Sequence, residues 1–309
     1  METLGINAVT AQAFWRLPRS LPPALAAALP AGWEVVICET AAELPALVQR
    51  SAAVMGWPFA APMARRAERL RWVHFFTSGI PESWLKIAAQ GGPVAVTSAE
   101  GLNAHSVAEH GLFLALAALR GLKRESFAPG RWDPDAAFEV ARAPGELTAG
   151  VVGHGAVGQR LSLLLRPLFG EVRVLTRTAR PGVQTFADAD SFFAACDFLF
   201  LAVPLVAETR ALFHSPRFIA ALRPRACIVN LARGELVDEP AMLRFLEENP
   251  GARYLADVAH PEPYPEGMPL WRSPRVLLTP HVAGRREDMW RRLEAQAVEL
   301  ARARLAGAA

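Results

Sequence analysis

The feature that most constrains this chain is a glycine cluster at its middle, Val151-Val152-Gly153-His154-Gly155-Ala156-Val157-Gly158-Gln159-Arg160-Leu161. An apolar extended run precedes it, leucines at helical spacing follow it, and Glu171-Val172-Arg173-Val174-Leu175 reads as the next strand, so the stretch is a βαβ unit. Gly153 permits the tight strand-to-helix turn. Gly155 lets the backbone approach a pyrophosphate with no Cβ in the way, and Gly158 lets the helix pack close to the strand. The pyrophosphate is expected on the helix N-terminus at Ala156 and Val157, where free N–H groups and the positive dipole end favour an anion.

An Asp or Glu at the end of the second strand of such a unit holds the ribose hydroxyls of the adenosine. Thr176 stands there, followed by Arg177, Thr178 and Arg180. Guanidinium and hydroxyl groups suit a 2′-phosphate, which a carboxylate would repel. The expected cofactor is therefore NADP(H), with NAD(H) as the second choice.

At 309 residues the chain is long for one hydrophobic core and suits two domains. Its 52% hydrophobic and 20% charged residues are wrong for disorder. The formal charge of +3 is small, and no basic run or aromatic-interleaved basic patch argues for nucleic acid. Cys38, Cys196 and Cys227 lack C-x-x-C spacing and give neither a disulfide framework nor a zinc site. With no signal-peptide pattern and no apolar run of membrane-spanning length, the expectation is a cytoplasmic protein without a metal.

Residues 1–100 alternate short apolar runs with Ala-rich stretches, the pattern of a small α/β unit. Strands are expected over 33–38, 52–56 and 72–76, and helices over 41–49 and 63–69. Trp57 follows one strand end and Ser78, Gly79 and Ile80 follow another, where ligands of open α/β sheets gather. Backbone N–H groups of Ser78, Gly79 and Ile80 could hold a carboxylate, so these four are candidate substrate contacts. Each position also has the plainer reading of a turn. A helix is expected over 103–120, opened by a capping box at Ser106-Val107-Ala108-Glu109 and apolar on nearly every side. Such a helix is buried on several faces, bridging domains or meeting a second subunit. The polar, turn-rich run 120–146, with Pro129-Gly130 and Asp133-Pro134, reads as a connecting arm. Later apolar runs at 198–203 and 226–231 are consistent with buried parallel strands, and the amphipathic helix 285–306 is expected to pack back on the first domain.

Three stretches of the second half each end an apolar run with a residue of catalytic type: Asn230-Leu231-Ala232-Arg233-Gly234, Asp257-Val258-Ala259-His260-Pro261-Glu262-Pro263 and Leu278-Thr279-Pro280-His281-Val282-Ala283-Gly284. Singly, each has a plain explanation in a surface turn or loop. With the dinucleotide fingerprint, they meet the requirements of carbonyl reduction. A hydride arriving at a carbonyl carbon leaves charge on oxygen, so a proton donor must sit at that oxygen. A histidine beside a carboxylate does this, because the negative neighbour favours the protonated imidazole. An arginine holds the adjoining carboxylate bidentately and polarises the carbonyl. His281 is the expected donor, Glu262 its partner and Arg233 the clamp, meeting above a nicotinamide in a cleft dividing two lobes.

These motifs, in this order, resemble the D-2-hydroxyacid dehydrogenases, as do Gly101-Leu102-Asn103 and Val107-Ala108-Glu109-His110. The resemblance covers most of the chain. It implies that Arg233, Glu262 and His281 match the family's catalytic residues and that Asp257 contacts the nicotinamide side. It also implies that Val107, Val203, Pro204, Leu231, Ala232 and Ala283 line that pocket. It further implies a Rossmann-type, doubly wound parallel domain, residues 101–284, inserted in a smaller flavodoxin-like α/β substrate domain, residues 1–100 and 285–309, and a homodimer formed through the helix at 106–119. Thr176-Arg177-Thr178 and Val54-Met55-Gly56-Trp57 are most similar to the NADPH-dependent glyoxylate and hydroxypyruvate reductases. Two departures bear on substrate choice: residues 147–150 form a shortened approach to the fingerprint, and His260-Pro261 replaces the acidic pair common before Glu-Pro, with Tyr264 after it.

Reduction of a small 2-oxoacid to the D-2-hydroxyacid is the first expectation. A non-enzymatic NAD(P) sensor is the alternative, because the resemblance extends to corepressors that keep the fold. Formate oxidation is disfavoured by Glu262, where those enzymes carry Gln, and a phosphoglycerate dehydrogenase with a regulatory appendage by the few residues after the final helix.

Overall fold

The computed structural model describes residues 1–10, 15–122 and 141–305. The chain divides into two compact units, one of Met1–Asn103 with Arg286–Ala309 and one of Ala104–Arg285.

In the first unit five parallel strands, β1 (Glu2–Asn7), β2 (Trp33–Cys38), β3 (Ala53–Gly56), β4 (Trp72–Phe75) and β5 (Ala95–Ser98), lie in the order β2-β1-β3-β4-β5. That is the flavodoxin-like order. Successive side chains point to opposite faces of a strand, so β2, β3 and β4 each feed two cores. Leu4, Ile6 and Met55 join Leu21 and Leu25 of the helix Leu21–Ala28, and Leu293, Ala297 and Ala301 of the C-terminal helix Met289–Leu305. Val54, Val73 and Phe75 join Leu47, Val48 and Trp84 on the other face. The C-terminal helix thus packs on the sheet begun by the first residues of the chain.

The second unit carries seven parallel strands: β6 (Thr148–Val152), β7 (Glu171–Thr176), β8 (Gln184–Thr185), β9 (Phe198–Leu201), β10 (Cys227–Asn230), β11 (Arg253–Ala256) and β12 (Val276–Leu278). Their order is β12-β11-β10-β9-β6-β7-β8, the doubly wound Rossmann arrangement, with its switch point between β6 and β9. Strands covered on both faces must be apolar throughout. Phe198 and Phe200 pack with Leu161, Leu165 and Leu114, while Leu199 and Leu201 pack with Phe192, Phe213 and Phe218. Burying each such ring contributes about 2–3 kcal/mol.

Several local expectations differ from the structure. Residues 61–66 form a 3-10 helix in place of the α-helix read over 63–69; Ala61, Ala64 and Ala67 are buried at a spacing of three, which matches its three residues per turn. The helix read over 41–49 begins at Leu44, because Pro45 favours the first turn and residues 41–43 are a turn. The capping box at Ser106 does not form. The helix starts two residues earlier, as Ala104–Leu119, after a turn in which Gly101 takes φ +83°. Ser106 is therefore inside the helix with a buried, unpartnered hydroxyl, and Glu109 pairs with His105 at 2.8 Å. Of the arm read over 120–146, residues 123–140, including Pro129-Gly130 and Asp133-Pro134, lie outside the described residues. No helix among the described residues is long and apolar enough to cross a membrane.

Candidate active site

The glycine turn closes β6. Gly153 has φ +107°, and a Cβ there would sit 2.3 Å from the Ala202 carbonyl oxygen, so no other residue fits. At Gly158 a Cβ would sit 2.0 Å from the Gly153 carbonyl oxygen, which sets how closely the helix Ala156–Leu165 approaches the turn. Gly155 caps that helix without a side-chain hydrogen bond. Ala156 and Val157, both half-buried, start it with their N–H groups. Gln159 Nε2 donates to the His154 carbonyl at 2.9 Å and braces the turn. A helix start with no side-chain cap, behind a turn whose first residue admits no Cβ, fits a pyrophosphate.

At the end of β7, Thr176 is 7% exposed and its hydroxyl donates to the Thr178 carbonyl at 2.7 Å, so this side chain shapes the turn. Arg177, Thr178 and Arg180 are exposed. Val203 is buried after β9, and the Pro204 carbonyl accepts the Thr209 hydroxyl at 2.7 Å. Val107, Ala232 and Ala283 are buried too, and Leu231 packs where a Cβ on Gly111 would lie.

The other half of the site is built by turns after β10, β11 and β12. Asn230, fully buried, folds the first: its amide donates to the Arg233 carbonyl at 3.0 Å and to the Tyr254 hydroxyl at 3.1 Å, and its oxygen accepts from the Ala232 N–H at 3.0 Å. Arg233 is left exposed, donating to the Ala232 carbonyl at 2.6 Å. Glu262 belongs to the second turn. One carboxylate oxygen accepts the Ala259 N–H at 3.1 Å and the other lies 2.7 Å from His281 Nδ1. Burial raises the Glu262 pKa, but the hydrogen bond and charge of His281, the Ala259 N–H and the Arg233 charge outweigh it, holding the carboxyl below its usual value. An ionised carboxylate only accepts, so Nδ1 of His281 carries the proton on that side and Nε2 is the ring position left to act. His281 thus meets Glu262 directly, and the Arg233 charge acts on the same carboxylate.

The third turn holds His281 at φ +52°, the one non-glycine residue in the left-handed region among those described. Asp257, 1% exposed, brackets it. Its Oδ1 accepts from the Thr279 hydroxyl at 2.6 Å and the Val282 N–H at 2.9 Å, and its Oδ2 from the Ala283 N–H at 2.7 Å. The Asp257 carboxylate thus ties the Thr279 side chain before His281 to the backbone N–H groups that follow it. A left-handed residue is kept only when its surroundings over-determine it, and this bracket does so. The roles of Thr279 and His110 carry no signal in residue type or spacing, because their partners, Asp257 and Thr279, lie 22 and 169 positions away and meet them only in the folded unit. Asn230, which bonds the backbone two and three residues on, carries a local one.

Trp57, Ser78, Gly79 and Ile80 belong to the other unit. Trp57 is 8% exposed, its ring packed against Trp15, Phe76 and Trp290, so the large apolar ring is part of the packing rather than of an open loop. Ser78 donates to Asn103 Oδ1 at 2.7 Å, the Thr77 hydroxyl closes over the Gly79 carbonyl at 2.8 Å, and Ile80 packs against the core. Tyr264, expected to shape the pocket, gives its hydroxyl to Glu239 at 2.6 Å.

A doubly wound parallel sheet with a glycine turn at its first strand and polar residues gathered on turns after its later strands defines an α/β protein of the dinucleotide-binding class. Residues 112–283 match the family model described as D-isomer specific 2-hydroxyacid dehydrogenase, NAD binding domain. The chain belongs to the D-isomer specific 2-hydroxyacid dehydrogenase family. It is 36% identical over 141 residues to a glyoxylate/hydroxypyruvate reductase A of Serratia proteamaculans, covering 44% of this chain and 45% of that protein. It is 35% identical over 220 residues to an erythronate-4-phosphate dehydrogenase of Ectopseudomonas mendocina, covering 70% and 52%. The chain spans about half the length of the curated relatives it matches. Among solved structures, a D-isomer specific 2-hydroxyacid dehydrogenase of Xanthobacter autotrophicus in complex with NADPH and MES superposes with a TM-score of 0.77 at 27% identity, over 99% of this chain and 96% of that one.

Proposed function

We propose that this protein reduces a small 2-oxoacid of the glyoxylate or hydroxypyruvate type to the D-2-hydroxyacid with NADPH. The observation that carries the reading is the 2.7 Å contact between His281 Nδ1 and Glu262, with the Arg233 charge acting on the same carboxylate. The nicotinamide supplies the hydride. His281 gives a proton from Nε2 to the carbonyl oxygen as charge develops there, and Glu262 steadies the ring through Nδ1. Arg233, exposed after β10, binds the substrate carboxylate and draws charge from the carbonyl. Gly153, Gly155, Ala156, Val157 and Gly158 would hold the pyrophosphate, and Val107, Val203, Pro204, Leu231, Ala232 and Ala283 would surround the nicotinamide.

The choice of NADPH is supported by Thr176 in place of a carboxylate and by Arg177, Thr178 and Arg180, exposed just after it. Similarity to the Serratia reductase supports the substrate class. A homodimer through the helix Ala104–Leu119 is supported by Phe113 and Leu116, 50% and 40% exposed. Three buried, free cysteines accord with a reducing cytoplasm.

The test follows NADPH absorbance with glyoxylate, hydroxypyruvate and bulkier 2-oxoacids. Turnover is expected with the small acids, falling roughly 10²–10⁴-fold in His281→Ala while NADPH binding persists. Turnover with none of them would overturn the reading in favour of a nucleotide sensor. An unchanged rate in His281→Ala would remove His281 from the role.

A further inference from the structure

We infer that His110, acting through the hydroxyl of Thr279, is a positioning residue for the turn that carries His281. The inference rests on the reading of His281 as proton donor.

His110 projects from the helix Ala104–Leu119 with its side chain 17% exposed. Its Nε2 lies 2.9 Å from Thr279 Oγ1 and 3.5 Å from Asp257 Oδ1. Thr279 Oγ1 in turn lies 2.6 Å from Asp257 Oδ1. The direction of this chain follows from its far end. The N–H groups of Val282 and Ala283 already donate to the two oxygens of Asp257, which serves as the acceptor. A hydroxyl has one proton, and at the shortest of these distances it goes to Asp257. The oxygen of Thr279 is then an acceptor for His110, whose Nε2 must carry a hydrogen. Burial holds the His110 imidazole below its usual value, with the Asp257 charge opposing, which agrees with a neutral ring.

The hydroxyl of Thr279 has a competing acceptor, the Ala256 carbonyl at 3.4 Å. A donor on its oxygen from His110 fixes the rotor toward Asp257. With that donor gone, the hydroxyl is free to turn to Ala256, and Asp257 loses the one tie it has to the residues before His281. Before His281 the turn then keeps only its backbone bonds, Thr279 N–H to the Ala256 carbonyl at 2.9 Å and His281 N–H to the Thr279 carbonyl at 3.0 Å. The Asp257 carboxylate no longer ties both sides of the left-handed residue.

The experiment compares His110→Leu, His110→Gln, Thr279→Val and the double variant His110→Leu/Thr279→Val by amide hydrogen exchange of the segment 278–285 and by steady-state kinetics with glyoxylate. Loss of one such hydrogen bond should speed exchange at Val282 and Ala283 roughly tenfold in His110→Leu and in Thr279→Val. A Gln amide can replace the Nε2–H donor, so His110→Gln should return protection to near the wild type. The double variant should exchange no faster than Thr279→Val alone, because the two residues act through one bond. Where the protein turns over, kcat should fall by a similar factor with the KM for NADPH within about twofold. Wild-type protection in His110→Leu, or equal losses in His110→Leu and His110→Gln, would overturn the inference. The exchange arm needs no turnover, so a protein that reduces no oxoacid would sink the proposed activity while this measurement still decides the role of His110.

Discussion

Substituting Gly234 by alanine tests whether the turns of Arg233 and Glu262 form one unit. A Cβ on Gly234 would lie 2.1 Å from the Ala259 carbonyl carbon and 2.2 Å from its oxygen, against about 3.4 Å for ordinary contact. Both sides are backbone, so no side-chain rotation relieves the overlap, and the two turns must separate by about 1 Å. Ala259 also supplies the N–H that holds Glu262 Oε1, so the displacement reaches both the carboxylate and the neighbouring guanidinium. Overpacking of this kind costs about 1–3 kcal/mol, on the order of 2–10 °C in melting temperature for a unit of this size. A 1 Å misplacement of catalytic groups lowers kcat/KM on the order of 10²-fold. Steady-state kinetics, thermal melts and an NADPH titration would measure the three effects, with NADPH affinity expected to stay within about threefold because the glycine turn of β6 is untouched. Gly145→Ala, where a Cβ meets nothing within 4 Å, is the control and should behave as wild type. A Gly234→Ala protein with wild-type kcat/KM and melting temperature would refute the argument that these turns are mutually fixed.

Two further outcomes follow from other parts of the structure. Arg177→Ala should raise the dissociation constant for NADPH roughly 10–100-fold, the worth of a charge-assisted contact, and leave NADH within about twofold; equal losses in calorimetry would exclude a 2′-phosphate contact. His74 on β4 is fully buried, and burial, followed by the nearby Arg304 charge, pushes its pKa from 6.5 down to about 4. The folded value lies below the unfolded one, so this contribution to stability is present in full above pH 6.5 and is lost as pH falls toward about 4, a loss approaching ~3 kcal/mol. Urea midpoints taken across that range should fall in the wild type and change less in His74→Leu; parallel curves would dismiss His74 as the source.

Some of the fold could be read from the amino-acid order. The strand over 33–38 coincides with β2, and the runs around the fingerprint coincide closely with β6 and β7. β6 is legible because a buried parallel strand is apolar along its length, β2 and β7 because β-branched and aliphatic residues crowd into six positions. Other elements had no such signature. β1, which runs from Glu2 to Asn7, and the four-residue β5, which ends on Thr97-Ser98, have polar residues at their ends and gain their place by pairing with β2 and β3, and with β4. Ser106 and Glu109 satisfy a capping pattern, yet the helix extends past it, since local spacing does not register a start favoured by burial of Ala104.

The sequence by itself determined the glycine turn and the order of the three polar turns. At Gly153 and Gly158 the constraint is a missing Cβ, a property of one residue that survives in any reading of the chain. Only the tertiary structure decided that His281 meets Glu262, that Asp257 faces the backbone around His281, and that His110 reaches Thr279 across 169 positions. The turns after β10, β11 and β12 share one end of the unit because those strands are parallel neighbours in the sheet. Which strands become neighbours is settled by packing two cores on opposite faces, a cooperative outcome that no single motif contains.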